Sequence, residues 1–243
     1  MAPALQSPFL KRVTLDPSKT DREAFPFTVL PYLADEFELD FESAITIIVG
    51  ENGSGKSTLI DAIAQMAGFA GKGGSQDHQT GEGGKENALA RSLRPSWLPR
   101  VRRGFFFRAA SFFSYVDYLS ETGGFGNLEQ RSHGEAFLDT FQDRMPAGQR
   151  AIYILDEPEV ALSPQRQLAF LRILREWQLS GQVQAIIATH SPILMSLPDA
   201  ALLSLDGGAI RPIALEETGH YRVIRSFLGN PTAFLADLFR DLG

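Results

Sequence analysis

The apolar positions of this chain fall into short dense runs, set apart by turns rich in glycine and proline. Ile45-Thr46-Ile47-Ile48-Val49, Ala151-Ile152-Tyr153-Ile154-Leu155 and Ala185-Ile186-Ile187-Ala188 are almost continuously apolar. Runs of that length predict strands buried on both faces, as in a parallel sheet. Elsewhere the period becomes helical. Leu59, Ile60, Ile63, Ala64 and Ala67 predict a helix from about Lys56 to a glycine C-cap at Gly68. Leu168, Leu171, Leu174 and Trp177 predict a second helix over 165–179. Phe137, Leu138, Phe141 and Met145 predict a third, from near Gly134 to Pro146. Residues 201–215 read as a hairpin turned at Asp206-Gly207-Gly208, and Tyr221 to Leu242 as helical with a break at Gly229-Asn230-Pro231. Residues 1–44, with Pro3, Pro8, Pro17, Pro26 and Pro31, fit edge strands and turns. Strands alternating with helices predict an α/β fold with a mainly parallel sheet flanked by helices.

Two stretches depart from this pattern. Residues 68–87 are glycine-rich and polar, a composition that buries no apolar surface and reads as a mobile loop. Between 91 and 118, Arg91, Arg94, Arg100, Arg102, Arg103 and Arg108 are interleaved with Trp97 and five phenylalanines, with no acidic residue between Glu86 and Asp117. Such a segment suits nucleic acid, with arginines on phosphates and Trp97 on a base. It better suits a buried strand, Phe105–Phe107, whose flanking arginines are solvated or paired with Asp139 or Asp143.

Composition narrows the class. With 243 residues the chain can bury one sizeable core. Cysteine is absent, which excludes disulfides, thiolate metal sites and a cysteine nucleophile. No apolar run approaches the ~20 residues of a membrane span, and MAPALQSPFLKR lacks a signal-peptide core, so a cytoplasmic protein without membrane insertion is expected. A net charge of −6 argues against a broadly basic surface.

The chemistry enters at Gly50-Glu51-Asn52-Gly53-Ser54-Gly55-Lys56-Ser57, directly after an apolar strand and directly before an amphipathic helix. Glycines there let backbone N–H groups turn inward around phosphates, and the helix N-terminus, which takes in Thr58, adds partial positive charge. Lys56 adds a full charge, and the Ser57 hydroxyl suits Mg²⁺. The chain is therefore expected to bind a nucleoside triphosphate. Asp156 and Glu157 end the second apolar strand, where α/β proteins bind ligands. Asp156 is placed to hold Mg²⁺ and Glu157 to polarise an attacking water. His190 follows the third strand at the same sheet edge, in reach of a γ-phosphate. Ser132-His133-Gly134-Glu135 is a polar turn at a helix start, suited to an anion or to simple capping.

Taken in order, P-loop, Ser-x-Gly-x, strand-Leu-Asp-Glu-Pro and strand-Thr-His resemble the ATP-binding-cassette (ABC) ATPase superfamily. More closely, the chain resembles the stand-alone bacterial, AAA-annotated, RecF-like branch of that superfamily. The resemblance spans nearly the whole chain and implies one ATPase domain over 1–243. That domain would have an N-terminal antiparallel β part and a small helical, signature-bearing subdomain over about 88–146. It further implies ATP and Mg²⁺ as ligands and a homodimer that closes head-to-tail on ATP. Ser132 and Gly134 of one copy would meet the γ-phosphate held by Lys56 of the other. Ala161-Leu162-Ser163 falls where the family has its D-loop.

The sequence also departs from the family. Arg108 stands where a glutamine is expected, and arginine can pair with phosphate or with a carboxylate but cannot ligate a cation. His133 replaces a glycine, Glu135 a glutamine and Ser163 an aspartate. Phe9, Phe25 and Phe27 are the candidates to stack on adenine. An ATPase switch acting on nucleic acid or on a protein effector is the leading expectation. A transporter subunit and an ATP-binding dimer with little turnover are the alternatives.

Overall fold

The computed structural model describes residues 5–34, 36–70, 87–109, 138, 141–142 and 144–240. Each of the three apolar runs is a strand: β3 (Ile45–Val49), β6 (Ala151–Asp156) and β7 (Val183–Ala188), every residue of which is buried. They lie side by side within a six-stranded sheet of order β5-β6-β7-β3-β8-β9, where β5 is Gly104–Arg108, β8 Ala201–Ser204 and β9 Arg211–Pro212. The strands from β5 to β8 run parallel, and β9 folds back antiparallel on β8 as the hairpin pattern predicts.

Side chains alternate between two cores. Ile45, Ile47, Val49, Tyr153, Leu155 and Ile187 face Phe170, Leu174 and Trp177 of α3 (Pro164–Ser180). Ile48, Ile152, Ile154 and Ile186 face α1 (Lys56–Ala67) and the antiparallel sheet. The buried face of α3 differs from the expected one at its N-terminal end: Leu168 is 58% exposed, while Phe170 and Ile173 are buried.

The antiparallel sheet has the order β2-β1-β4, with β1 at Leu10–Leu15, β2 at Glu38–Asp40 and β4 at Leu93–Trp97. Residues 88–108, expected to open the helical subdomain, instead supply α2 (Ala88–Ser92), β4 and β5. Pro95 interrupts the strand signal of β4 yet is tolerated there because β4 is an edge. β5 settles the reading of Phe105–Phe107 as a strand: Phe106 and Phe107 are buried, and Arg94, Arg100, Arg102 and Arg103 are solvated flanks. Asp139, Asp143 and residues 71–86 of the mobile loop expected over 68–87 lie outside the described residues; at the described ends of that stretch Phe69 is buried and Asn87 caps α2.

A buried side chain joins the two sheets. Gln184 of β7 is fully buried, and its Oε1 accepts from Phe9 N and Leu10 N at 2.8 Å each. Its Nε2 donates to Leu10 O at 2.9 Å. After the short α4 (Pro192–Met195) and the β8–β9 hairpin, the chain ends in α5 (Gly219–Gly229) and α6 (Pro231–Leu238). Neither of these last two helices has a buried residue. Among the described residues no helix is long and apolar enough to cross a membrane.

The parallel register decides where chemistry collects. Ile48 and Asp156 both lie opposite Ala188, and Val49 lies opposite Ser204. The loops leaving β3, β6, β7 and β8 therefore emerge together at one sheet edge.

Candidate functional site

The glycine loop turns as its composition demands. Gly50 has φ 157° and Gly55 φ 91°. A Cβ on Gly50 would come within 2.7 Å of Ser54 Oγ, and one on Gly55 within 2.6 Å of Tyr32 Oη. Backbone is thus packed where side chains do not fit. Lys56 opens α1 and is 4% exposed. Its Nζ donates to Gly50 O at 2.7 Å and to Glu51 O at 3.0 Å, so the ammonium sits inside the loop. Burial pushes the Lys56 pKa down, while Glu157, Asp206, Asp156 and Glu51 push it back up. Ser54 Oγ is buried with no partner among the described residues. The far side of the loop is held by Asp206, whose Oδ1 accepts from Glu51 N at 2.8 Å.

Ser57 Oγ, on the next residue, donates to Asp156 Oδ1 at 3.1 Å. Oxygen donors of this kind, one hydroxyl and one buried carboxylate, suit a hard divalent cation. Burial raises the Asp156 pKa, and the Arg108 guanidinium and the Ser57 hydroxyl oppose that rise. Arg108 lies opposite Asp156 in the β5–β6 register. Its guanidinium is 3.5 Å from Asp156 Oδ2 and 3.1 Å from Asp61 Oδ1 on α1. The arginine at the expected glutamine position is therefore a bridge between two carboxylates.

Arg108→Ala should lower stability by roughly 1–2 kcal/mol, a buried-pair loss discounted for partial exposure. Arg108→Lys should fall between, because an ammonium cannot span both carboxylates as a fork. Urea midpoints of the two variants check this, and unchanged midpoints would refute the bridge.

Glu157 takes up a left-handed conformation, φ 53° and ψ 53°, before Pro158. A following proline disfavours the right-handed helical region, and the left-handed one costs a non-glycine residue about 1–3 kcal/mol. Hydrogen bonds from Glu157 N to Ala188 O and from Val160 N to Glu157 O hold it there. His190 Nε2 lies 3.5 Å from Glu157 Oε1. The backbone N–H of His190 donates to Glu159 Oε1 at 2.5 Å, and burial raises the Glu159 pKa. His190 Nδ1 lies 2.8 Å from His220 Nε2 on α5. Burial, then Lys56 and His220, push the His190 pKa below its ordinary value against Glu157 and Glu51.

Lys56, Ser57, Asp156, Glu157 and His190 thus meet at one edge, with Arg108 behind Asp156 and Thr58 in the first turn of α1. Ser132, His133, Gly134 and Glu135 lie outside the described residues. In the expected D-loop, Leu162 is buried and Ser163 is the N-cap residue of α3. Of the stacking candidates, Phe9 and Phe27 are buried in the fold, and Phe25 is 64% exposed. A cleft of about 320 Å³ opens instead beside the loop, lined by Val29, Tyr32, Asn52, Asp206 and Gly207 among others. Sequence reasoning gave no site role to Asp61, Glu159, Asp206 or His220. Glu159 adjoins the Asp-Glu-Pro turn, and Asp206 reads there only as a hairpin turn.

Two segments of the chain match family models. Residues 28–91, which hold β3, the glycine loop and α1, match one described as "AAA domain". Residues 136–196, which hold β6, Glu157, β7 and His190, match "AAA domain, putative AbiEii toxin, Type IV TA system". Among solved structures the chain is similar to the "SMC head domain from Thermotoga maritima" at 18% identity, covering 85% of this chain and 99% of that one, TM-score 0.45. It is also similar to "An inward-facing conformation of a putative metal-chelate type ABC transporter" at 15% identity, covering 90% and 89%, TM-score 0.46. No curated protein matches it. Both descriptions name an AAA domain, and neither model singles out the RecF-like branch.

Proposed function

We propose that this protein binds ATP with Mg²⁺ at the edge formed by the loops after β3, β6 and β7, and hydrolyses it as a soluble switch. The observation that carries the reading is the meeting of Ser57 and Asp156, 3.1 Å apart, beside a buried lysine and a buried loop hydroxyl, Ser54 Oγ, that has no partner among the described residues. Ser57 Oγ and an Asp156 carboxylate oxygen would hold the cation, which supplies Lewis-acid polarisation of the phosphate oxygens. Lys56 and the N–H groups of Gly53 to Ser57 neutralise the charge of the β- and γ-phosphates. Glu157 accepts the proton of the attacking water, and His190 donates an N–H to the γ-phosphoryl oxygen that gathers charge. The cleft beside Tyr32 and Asn52 has room for the base.

The ABC-type likeness supports closure of two copies over two nucleotides, with Ser132 and Gly134 of each copy completing the other's site. What the cycle drives is a protein effector or nucleic acid. The second family model, whose description names a toxin–antitoxin system, favours a defence role over transport.

The purified chain should release phosphate from ATP only with Mg²⁺, and should shift to twice its mass when ATP is held without hydrolysis. Absence of ATP binding by calorimetry at millimolar Mg²⁺ would overturn the reading. Hydrolysis without any mass change would remove the dimer alone.

A further inference from the structure

The first turn of α5 enters the site. Thr218, 3% exposed, caps the helix by accepting from Tyr221 N. A Cβ on Gly219 would come within 3.0 Å of Glu51 Oε1, so this turn runs against the phosphate-binding loop. His220 follows, its ring 4.7 Å from that of His190 and edge-on to it. The remainder of α5 and all of α6 stay at the surface.

The 2.8 Å between His190 Nδ1 and His220 Nε2 requires one nitrogen to donate and the other to accept. The other face of His190 decides which. Its Nε2 looks at Glu157 Oε1 from 3.5 Å, and an ionised carboxylate only accepts. Neutral His190 therefore carries its proton on Nε2, which leaves Nδ1 as the acceptor and makes His220 Nε2–H the donor. Around His190 stand Lys56 and Glu51 from the glycine loop, Glu157 and Glu159 after β6, and His220 from α5. Its backbone is held separately by Glu159, and of the two groups that face the ring His220 makes the shorter contact, 2.8 Å against 3.5 Å to Glu157.

We propose that His220 is a positioning residue for the hydrolytic reaction: by donating to His190 Nδ1 it fixes His190 as the Nε2–H tautomer and aims that N–H at Glu157 and the γ-phosphoryl oxygen. The proposal rests on the ATPase reading above. Without His220 only the longer 3.5 Å contact with Glu157 biases the proton toward Nε2, the ring is freer to rotate, and part of the population presents a lone pair where a donor is needed. ATP binding through the glycine loop does not depend on that donor.

Long-range nitrogen–proton spectra of the ¹⁵N-labelled full chain test the tautomer directly. The four histidines are assigned by single replacement. In the wild type, His190 should show a protonated Nε2 and a bare Nδ1. In His220→Phe, which keeps an edge-on ring but has no donor, the two nitrogens should move toward a shared value. His220→Gln, with an amide N–H of similar reach, should restore the wild-type pattern. Turnover should follow, with kcat down about tenfold or more in His220→Phe and KM for ATP within about twofold. His220→Gln should recover most of kcat. An unchanged His190 tautomer in His220→Phe, or equal losses of kcat in both variants, would overturn the proposal. A wild type without turnover would overturn the ATPase reading instead, and the spectra would still decide whether His220 holds His190.

Discussion

Glu157→Gln should lower ATP turnover by about 10²–10⁴-fold, the range seen when a positioned general base is lost. ATP affinity should stay within about twofold, since the change removes an interaction made in the transition state rather than in the ground state. The amide keeps the size and the hydrogen-bonding reach of the carboxylate but cannot take a proton from water. Backbone contacts hold Glu157 in its left-handed turn, through Glu157 N to Ala188 O and Val160 N to Glu157 O, so the variant should keep the same geometry. His190 then loses the charge that faces its Nε2 at 3.5 Å, which further lowers the pKa of the ring. A variant that binds ATP, dimerises and does not turn over is the expected product. Single-turnover phosphate release and nucleotide affinity, measured side by side, check it. Turnover within about threefold of the wild type would remove Glu157 from the chemistry and move the base to another group.

The residues behind that expectation are legible in the chain itself, because each part of the proposed chemistry is written within a few residues. Glycines at 50, 53 and 55 before Lys56, or Asp156-Glu157 at the end of an apolar strand, need no distant partner to be recognised. The supports of the site are different. Asp206 holds the glycine loop from 155 residues away and Ser57 meets Asp156 across 99. His220 reaches His190 from a segment whose only pattern is helical. Arg108 reads as a departure from a family position until the register sets it opposite Asp156 and beside Asp61. β4 is not legible in the sequence because arginine and proline mask its alternation, and its partner β1 lies far upstream. In each case the missing information is a long-range pairing, which no local period encodes.

Gln184→Leu is the second large effect and belongs to the fold rather than to the chemistry. Within the run Val183-Gln184-Ala185 a glutamine looks like an interruption, yet it is fully buried. It replaces strand pairing where the antiparallel sheet meets the central one: two backbone N–H groups, of Phe9 and Leu10, end on its Oε1, and Leu10 O receives its Nε2–H. Leucine has nearly the same volume, so packing changes little, but it leaves two donors and one acceptor buried and unpaired. Each such group costs about 1–3 kcal/mol, and with partial relaxation the total should reach about 3–5 kcal/mol. A loss of that size is a large share of the ~5–15 kcal/mol by which a domain is stable. It should appear as a urea midpoint lower by about 1 M or more at unchanged slope. Gln184→Glu separates shape from hydrogen bonding: it keeps the acceptor for both N–H groups, loses the donor to Leu10 O and buries a charge. It should therefore destabilise at neutral pH and recover as the carboxyl protonates, because burial raises its folded-state pKa above the unfolded one. The recovery lies at pH values between the unfolded pKa and the raised folded one, and it is complete below the unfolded pKa. Equal midpoints for Gln184→Leu and the wild type would show that the antiparallel sheet is held by its apolar face alone.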